Sequence, residues 1–129
     1  MKRVVNKIIE GLQHLPELLL AYFLPAAGQL GIVVLAVLTD TATGIWAAKR
    51  TGEKVHSRRF SDVVSKFITY LLLILLARAA EDVFEINHML TFVTMLLVGL
   101  ELGSVDENFQ KATGKKGLIR PIRDMFKRK

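Results

Sequence analysis

GQLGIVVLAVLTDTATGIWAA, residues 28–48, decides the fold, because this run carries a single charged side chain, Asp40. About 20 apolar residues cross ~30 Å of hydrocarbon at ~1.5 Å of helical rise each, and this block meets that length. Two further blocks follow. Val63–Ala80 holds only Lys66 and Arg78 as charges, and Ile86–Leu100 holds none, with His88 near one end. The chain has 129 residues, enough for one soluble core, so length does not decide the matter. The grouping of apolar residues into long blocks, instead of short periodic faces, does. It predicts an all-α integral membrane protein.

Charge placement maps the topology. The net charge of +6 is spread unevenly. Lys2, Arg3 and Lys7 open the chain, Lys49–Arg59 between the first two blocks is rich in Lys and Arg, and the last fifteen or so residues are strongly basic. The link between the second and third blocks is acidic, with Glu81, Asp82 and Glu85. Lys and Arg stay on the cytoplasmic side, so the Lys49–Arg59 loop and the C-terminus are expected inside and the acidic link outside.

The segment before Gly28 reads two ways. Arg3, Lys7, Glu10, His14 and Glu17 share one helical stripe, with Val4, Val5, Ile8, Ile9, Leu12 and Leu15 opposite. If residues 1–25 cross the membrane, bent at Pro16, the fold is four-helix and the stripe faces partner helices or water, a candidate pore lining. Alternatively the helix lies in the interface and three spans remain. Pro25-Ala-Ala-Gly28 predicts a tight turn. Residues 26–112 then form a three-helix core, with Ser57 or Ser61 and Asn87 as helix N-caps and Gly114 as a C-cap. Residues 113–129 form a basic tail with an amphipathic helix over Leu118–Arg128. Its Lys115, Lys116, Arg120, Arg123, Lys127 and Arg128 suit anionic headgroups, and no motif points to nucleic acid. The first apolar run follows an amphipathic stretch and no A-x-A-like site precedes a soluble mature domain, so a cleaved leader is not expected.

Asp40 is the most informative residue. A carboxylate inside a span costs several kcal/mol, on the order of 2.5–3.5 by insertion scales, unless paired, protonated or wetted. Lys66 enters the next helix from the same basic loop, so an Asp40–Lys66 contact is expected. That pair either fixes hairpin register or lines a pore or trigger site. Thr39, Thr41 and Thr43 can add hydroxyls to a polar seam. Arg78 is expected to pair with Glu81, Asp82 or Glu85, and Glu101 with Arg58 or Arg59. Gly99-x-x-x-Gly103 and Gly44 provide small surfaces for helix packing or oligomerisation. With no cysteine, scattered histidines and no phosphate loop or nucleophile–base set, no metal, cofactor or enzymatic activity is expected.

Several of these residues recur together in one family. Asp40-Thr-Ala-Thr43-Gly44, then Ile45-Trp-Ala-Ala48 and Lys49-Arg50, resemble the D-x-x-T-G-x-x-x-A-plus-basic segment of a bacteriophage holin family that includes toxin-secretion holins. Ser57, Lys66, Glu101-Leu-Gly-Ser104-Val-Asp-Glu107-Asn108, Gly117 and Pro121 extend the resemblance over about residues 30–128. Leu100 departs from it, standing where the family often has Asn. The resemblance implies a homo-oligomeric protein of the bacterial cytoplasmic membrane that permeabilises it to release an endolysin or toxin. The competing reading is a small membrane-embedded scaffold or accessory subunit without pore activity.

Overall fold

The computed structural model describes residues 1–117 and 119–127, with the side chains of Arg120 and Arg123 outside the described part. The expectations placed on Leu118, Arg120, Arg123 and Arg128 therefore lie outside the described residues. Six α-helices account for most of the rest: α1 Lys2–Gln13, α2 Leu15–Phe23, α3 Ala27–Thr51, α4 Arg58–Phe84, α5 Met89–Thr113 and α6 Ile119–Lys127.

Three helical segments, Lys2–Thr51, Arg58–Phe84 and Met89–Thr113, are long and apolar enough to cross a membrane. The side-chain distribution agrees, because large apolar residues are mostly exposed. Leu35, Leu38, Leu72, Leu76, Phe92 and Leu96 all point outward from the helices. Water would not tolerate so much contiguous apolar surface, whereas lipid is its natural solvent. The chain is a multi-pass membrane protein.

Local chemistry explains where the helices stop. α3 ends at Gly52, whose φ of 75° is left-handed, and the Glu53 N–H donates back to the Ala48 carbonyl at 2.9 Å. Lys49 and Arg50 occupy the last turn, where the helix dipole favours cations. Within α3, the hydroxyls of Thr39, Thr41 and Thr43 donate to carbonyls one turn back, at 2.8–2.9 Å, and so need no outside partner. Gly114 closes α5 at φ 66°.

Two expectations need correction. Pro25-Ala-Ala-Gly28 makes no tight turn: Leu24–Ala26 is a 3-10 turn with right-handed dihedrals on both flanks, and Gly28 is already inside α3. Pro25 sits in the first turn of that segment, where its missing N–H leaves no orphan bond. Asn87 does not cap α5; the N-cap is His88, at φ 71°. Glu81 reaches across from α4 instead, its Oε1 accepting the Leu90 N–H at 2.9 Å. Ser57 is the N-cap residue of α4, but its side chain makes no capping bond.

Pro16 is the second residue of α2, and the helix breaks at His14 just ahead of it. α1 has 12 residues and α2 nine, each too short to cross alone, and both lead into α3. Residues 1–22 are exposed throughout.

The bundle is made by α3, α4 and α5. Asp40 meets Asn108 and Arg50 Nε donates to the Ala112 carbonyl at 3.4 Å, so α3 and α5 run parallel in register, with α4 antiparallel between them in sequence. Toward the acidic link, Ala26, Val33, Ile74, Ala77, Leu90 and Leu97 form one buried apolar cluster. Toward the basic end the apolar cluster stops and polar side chains take over.

Candidate functional site

The chemistry in this chain sits between α3, α4 and α5, about two to three turns from the basic ends of α3 and α4. Lys66 Nζ of α4 lies 2.8 Å from Asp40 Oδ2 of α3 and 3.1 Å from Glu101 Oε2 of α5. One ammonium thus ties all three helices. Tyr70, one turn beyond Lys66, donates its hydroxyl to Glu101 Oε1 at 2.7 Å. Asn108, two turns beyond Glu101, donates Nδ2 to Asp40 Oδ1 at 2.9 Å and to the Asp40 carbonyl at 3.2 Å. The same amide lies 3.3 Å from the Thr43 hydroxyl.

Every carboxylate oxygen in the network therefore accepts a hydrogen bond. That matters because Glu101 is almost wholly buried, its side chain 2% exposed against 15% for Asp40 and 36% for Lys66. A buried carboxylate without donors would be strongly destabilising, and here each oxygen has one. The formal charge is uneven, two carboxylates to one ammonium.

Gly44 permits the close approach. A Cβ at this position would stand 3.3 Å from Arg59 Nη1 and 3.4 Å from Asn108 Nδ2, tighter than ordinary packing. Gly44 is buried inside the subunit, so its small size serves contacts within the chain. Gly99 and Gly103 differ: a Cβ on either meets nothing within 4 Å. Beside the network a cavity of about 250 Å³ opens, lined by Asp40, Gly44, Arg59, Asp62, Lys66 and Asn108.

The structure brings Asp40, Lys66, Thr43 and Glu101 into one network and leaves other residues singled out in the sequence apart. Glu101 meets Lys66 and Tyr70, not Arg58 or Arg59, because it lies at the depth of Lys66 on the bundle axis. Arg78 stands at the far end, with Nη1 2.8 Å from Asp82 Oδ1 and 3.9 Å from Glu81 Oε2. Its Nε is buried with no hydrogen-bond partner among the described residues. The Tyr22 ring lies against the guanidinium, 5.2 Å from centroid to Cζ, and supplies its π face instead.

Arg3, Lys7, Glu10, His14 and Glu17 line an exposed face of α1 and α2, with His14 Nδ1 3.3 Å from Glu17 Oε2. Lys115, Lys116 and Lys127 are exposed in the tail. Among the described residues no group of three or more His, Asp or Glu side chains could hold a metal ion.

Tyr70 and Asn108 were not singled out as partners by sequence reasoning, although spacing carried a signal. Lys66 and Tyr70 are four apart, and Glu101 and Asn108 seven, so each pair shares a helix face. Asp106 was also missed. Its buried carboxylate accepts the Ile119 N–H at 3.1 Å and lies 3.1 Å from Gln110 Nε2, tying α6 back to α5. Gly117 packs on the same carboxylate with no room for a side chain.

A sequence model of the bacteriophage holin family matches residues 18–127, nearly the whole bundle and tail. The chain belongs to the bacteriophage holin family. No curated protein and no solved structure matches it. The matched region of this holin-family chain contains the complete network, from Asp40 to Asn108, and also Asp106 and Gly117. Leu100, which departs from the family pattern, is 62% exposed and points away from the network, so the departure leaves the network untouched. Holins are not an enzyme family, and the network itself contains no nucleophile activated by a base.

Proposed function

We propose that this chain permeabilises the bacterial cytoplasmic membrane as a homo-oligomer and so releases an endolysin or a secreted toxin. The C-terminus lies in the cytoplasm, where Lys115, Lys116 and Lys127 engage anionic headgroups. Residues 26–112 are the spanning core, residues 113–129 the surface tail, and residues 1–25 an amphipathic segment that also spans, bent near Pro16. Within an assembly, Arg3, Lys7, Glu10, His14 and Glu17 provide the polar face that water requires.

The observation that carries this reading is the three-helix network around Lys66. Its polar groups satisfy one another inside a single subunit, so the resting chain can hold Asp40 and Glu101 within the bundle with neither carboxylate left unpaired. Opening that network would present Asp40, Glu101 and Lys66 to water at a stroke, a two-state behaviour suited to abrupt permeabilisation.

The test is induced expression in a bacterial host with membrane potential and viability followed over time. A delayed, sudden loss of potential is expected, and Asp40→Asn is expected to shift its timing. Unaffected growth at high membrane levels would overturn the proposal in favour of a scaffold or accessory subunit.

A further inference from the structure

A polar crevice enters the bundle from its basic end. Its inner part is the cavity of about 250 Å³ beside the network, with Thr41 of α3 and Val63 of α4 on facing walls and Asn108 of α5 behind. Its outer part is a hollow of about 740 Å³ at the link between α3 and α4, lined by polar side chains from Glu53 to Asp62. Arg59 and Asp62 line both parts, so the crevice runs from the exposed loop to Lys66. Lys66 lies eight residues into α4, about 12 Å of helix. Beyond it the bundle is apolar and closed: Val37, Ile74 and Leu97, one from each helix, are at most 5% exposed.

Two charged side chains of this crevice have no direct partner. Arg59, half-buried, reaches inward until Nη1 stands 3.3 Å from where a Cβ of Gly44 would be. Neither its guanidinium nor the Asp62 carboxylate forms a hydrogen bond or ion pair among the described residues. In a bundle surrounded by acyl chains such charges need a counter-ion or water. The carboxylates of the network are already engaged, with Lys66 between Asp40 and Glu101 and a donor on each oxygen. Water meets the need. A polar cavity with several donors and acceptors takes it readily, and at about 30 Å³ per molecule the inner part holds several.

We infer that this crevice is a water-filled vestibule, open at the basic end and closed at the level of Lys66, which admits water and small hydrophilic solutes to the near side of the network. It deepens the reading of the chain as a permeabiliser and rests on that reading for which side of the membrane the basic end faces. Glu101, 2% exposed behind Lys66, stays dry. The half of an aqueous passage nearer the basic loop is then built into each subunit, without help from a second copy. What separates it from the acidic link is the apolar layer of Val37, Ile74 and Leu97, a constriction of the kind that opens by wetting. Parting the network would carry water from the vestibule past Glu101 and into that layer, so that a passage has one half left to complete.

The chain has no cysteine, so single thiols report wetting directly. Thr41→Cys and, on the facing wall, Val63→Cys are made separately in the full chain. Sealed vesicles that hold a potential are treated from either face with a membrane-impermeant trimethylammonium methanethiosulfonate. Ala42→Cys is the comparison, exposed on the outside of the bundle one residue nearer the basic end and not part of the crevice. Both crevice thiols are expected to react at least about tenfold faster than Ala42→Cys, a ratio equivalent to ~1.4 kcal/mol. They should do so from the same face as Lys54→Cys in the exposed loop. Equal rates at Ala42→Cys, reaction from the face opposite to Lys54→Cys, or silence at both crevice positions while Lys54→Cys reacts would each overturn the vestibule. The topology is read separately: Lys54→Cys labelled from outside the cell overturns the cytoplasmic placement of the loop and leaves the vestibule standing. Loss of potential is followed on induction of the parent chain. If it never comes, the permeabilising reading fails, and the labelling pattern still decides the vestibule.

Discussion

The two ends of the α3–α4–α5 bundle are held by different forces. Toward the acidic link, Val33, Ile74, Ala77, Leu90 and Leu97 pack as an apolar cluster. Toward the basic end, Asp40, Lys66, Tyr70, Glu101 and Asn108 form a charged network. In water the apolar end would dominate. In lipid it does not, because acyl chains are as apolar as leucine and burying leucine against leucine gains mainly dispersion and fit. The polar end keeps its preference in either solvent, since a lone carboxylate in hydrocarbon has nowhere better to go. Apolar packing lets the helices approach, and the network dictates which turn faces which.

The strongest way to break this comparison is Lys66→Ala. It leaves Asp40 and Glu101 buried together with no cation and is expected to destabilise the bundle by about 3–5 kcal/mol. Unfolding of the purified protein by dodecyl sulfate in mixed micelles measures this, and membrane accumulation should fall with it. Ile74→Ala, at the centre of the apolar cluster, comes next, near the low end of the ~2–5 kcal/mol seen for such truncations because lipid weakens the transfer contribution. Should Ile74→Ala prove worse than Lys66→Ala in the same titration, the ranking of the two ends is reversed.

Tyr70→Phe sharpens the picture by deleting one hydroxyl and nothing else. About 1–2 kcal/mol is expected, the scale for a hydrogen bond to a charged group tempered by the membrane. The smallest effect belongs to the neutral triple Asp40→Asn, Lys66→Met, Glu101→Gln. Similar shapes without charge should unfold within about 1 kcal/mol of the parent, since replacing a whole buried ion group is often neutral. The timing of permeabilisation should nevertheless move. Unchanged timing in this variant would confine the network to a structural role.

The spans and the Asp40–Lys66 pair were legible because both depend on one-dimensional facts: run length, and two residues leaving a shared loop by similar distances. Glu101 was harder. Its partner depends on how far α5 slides along the bundle, and that offset is set by Glu81 gripping the Leu90 N–H, a contact across two helices. Tyr70 reads in sequence as one more large apolar residue, and only the buried Glu101 beside it reveals the use of its hydroxyl. Pro25 and Gly28 have the composition of a turn, yet a proline in the first turn of a helical segment and a glycine within a helix are both tolerated. Asn87 lost its capping role because the link after α4 is so short that a side chain from the preceding helix arrives first.

The first helical run has a consequence of its own. Lys2–Thr51 is 50 residues long, about 75 Å at helical rise, whereas the hydrocarbon layer is ~30 Å thick. α3 alone, with 25 residues, already fills that thickness at about 37 Å. The run is longer than the slab it crosses, and the part ahead of α3, broken at His14, carries its own amphipathic face. Because residues 1–22 are exposed throughout, moving the overhang from one medium to another gives up little more of the fold than the Tyr22–Arg78 contact. The surrounding medium, more than the chain's own packing, decides where that overhang comes to rest.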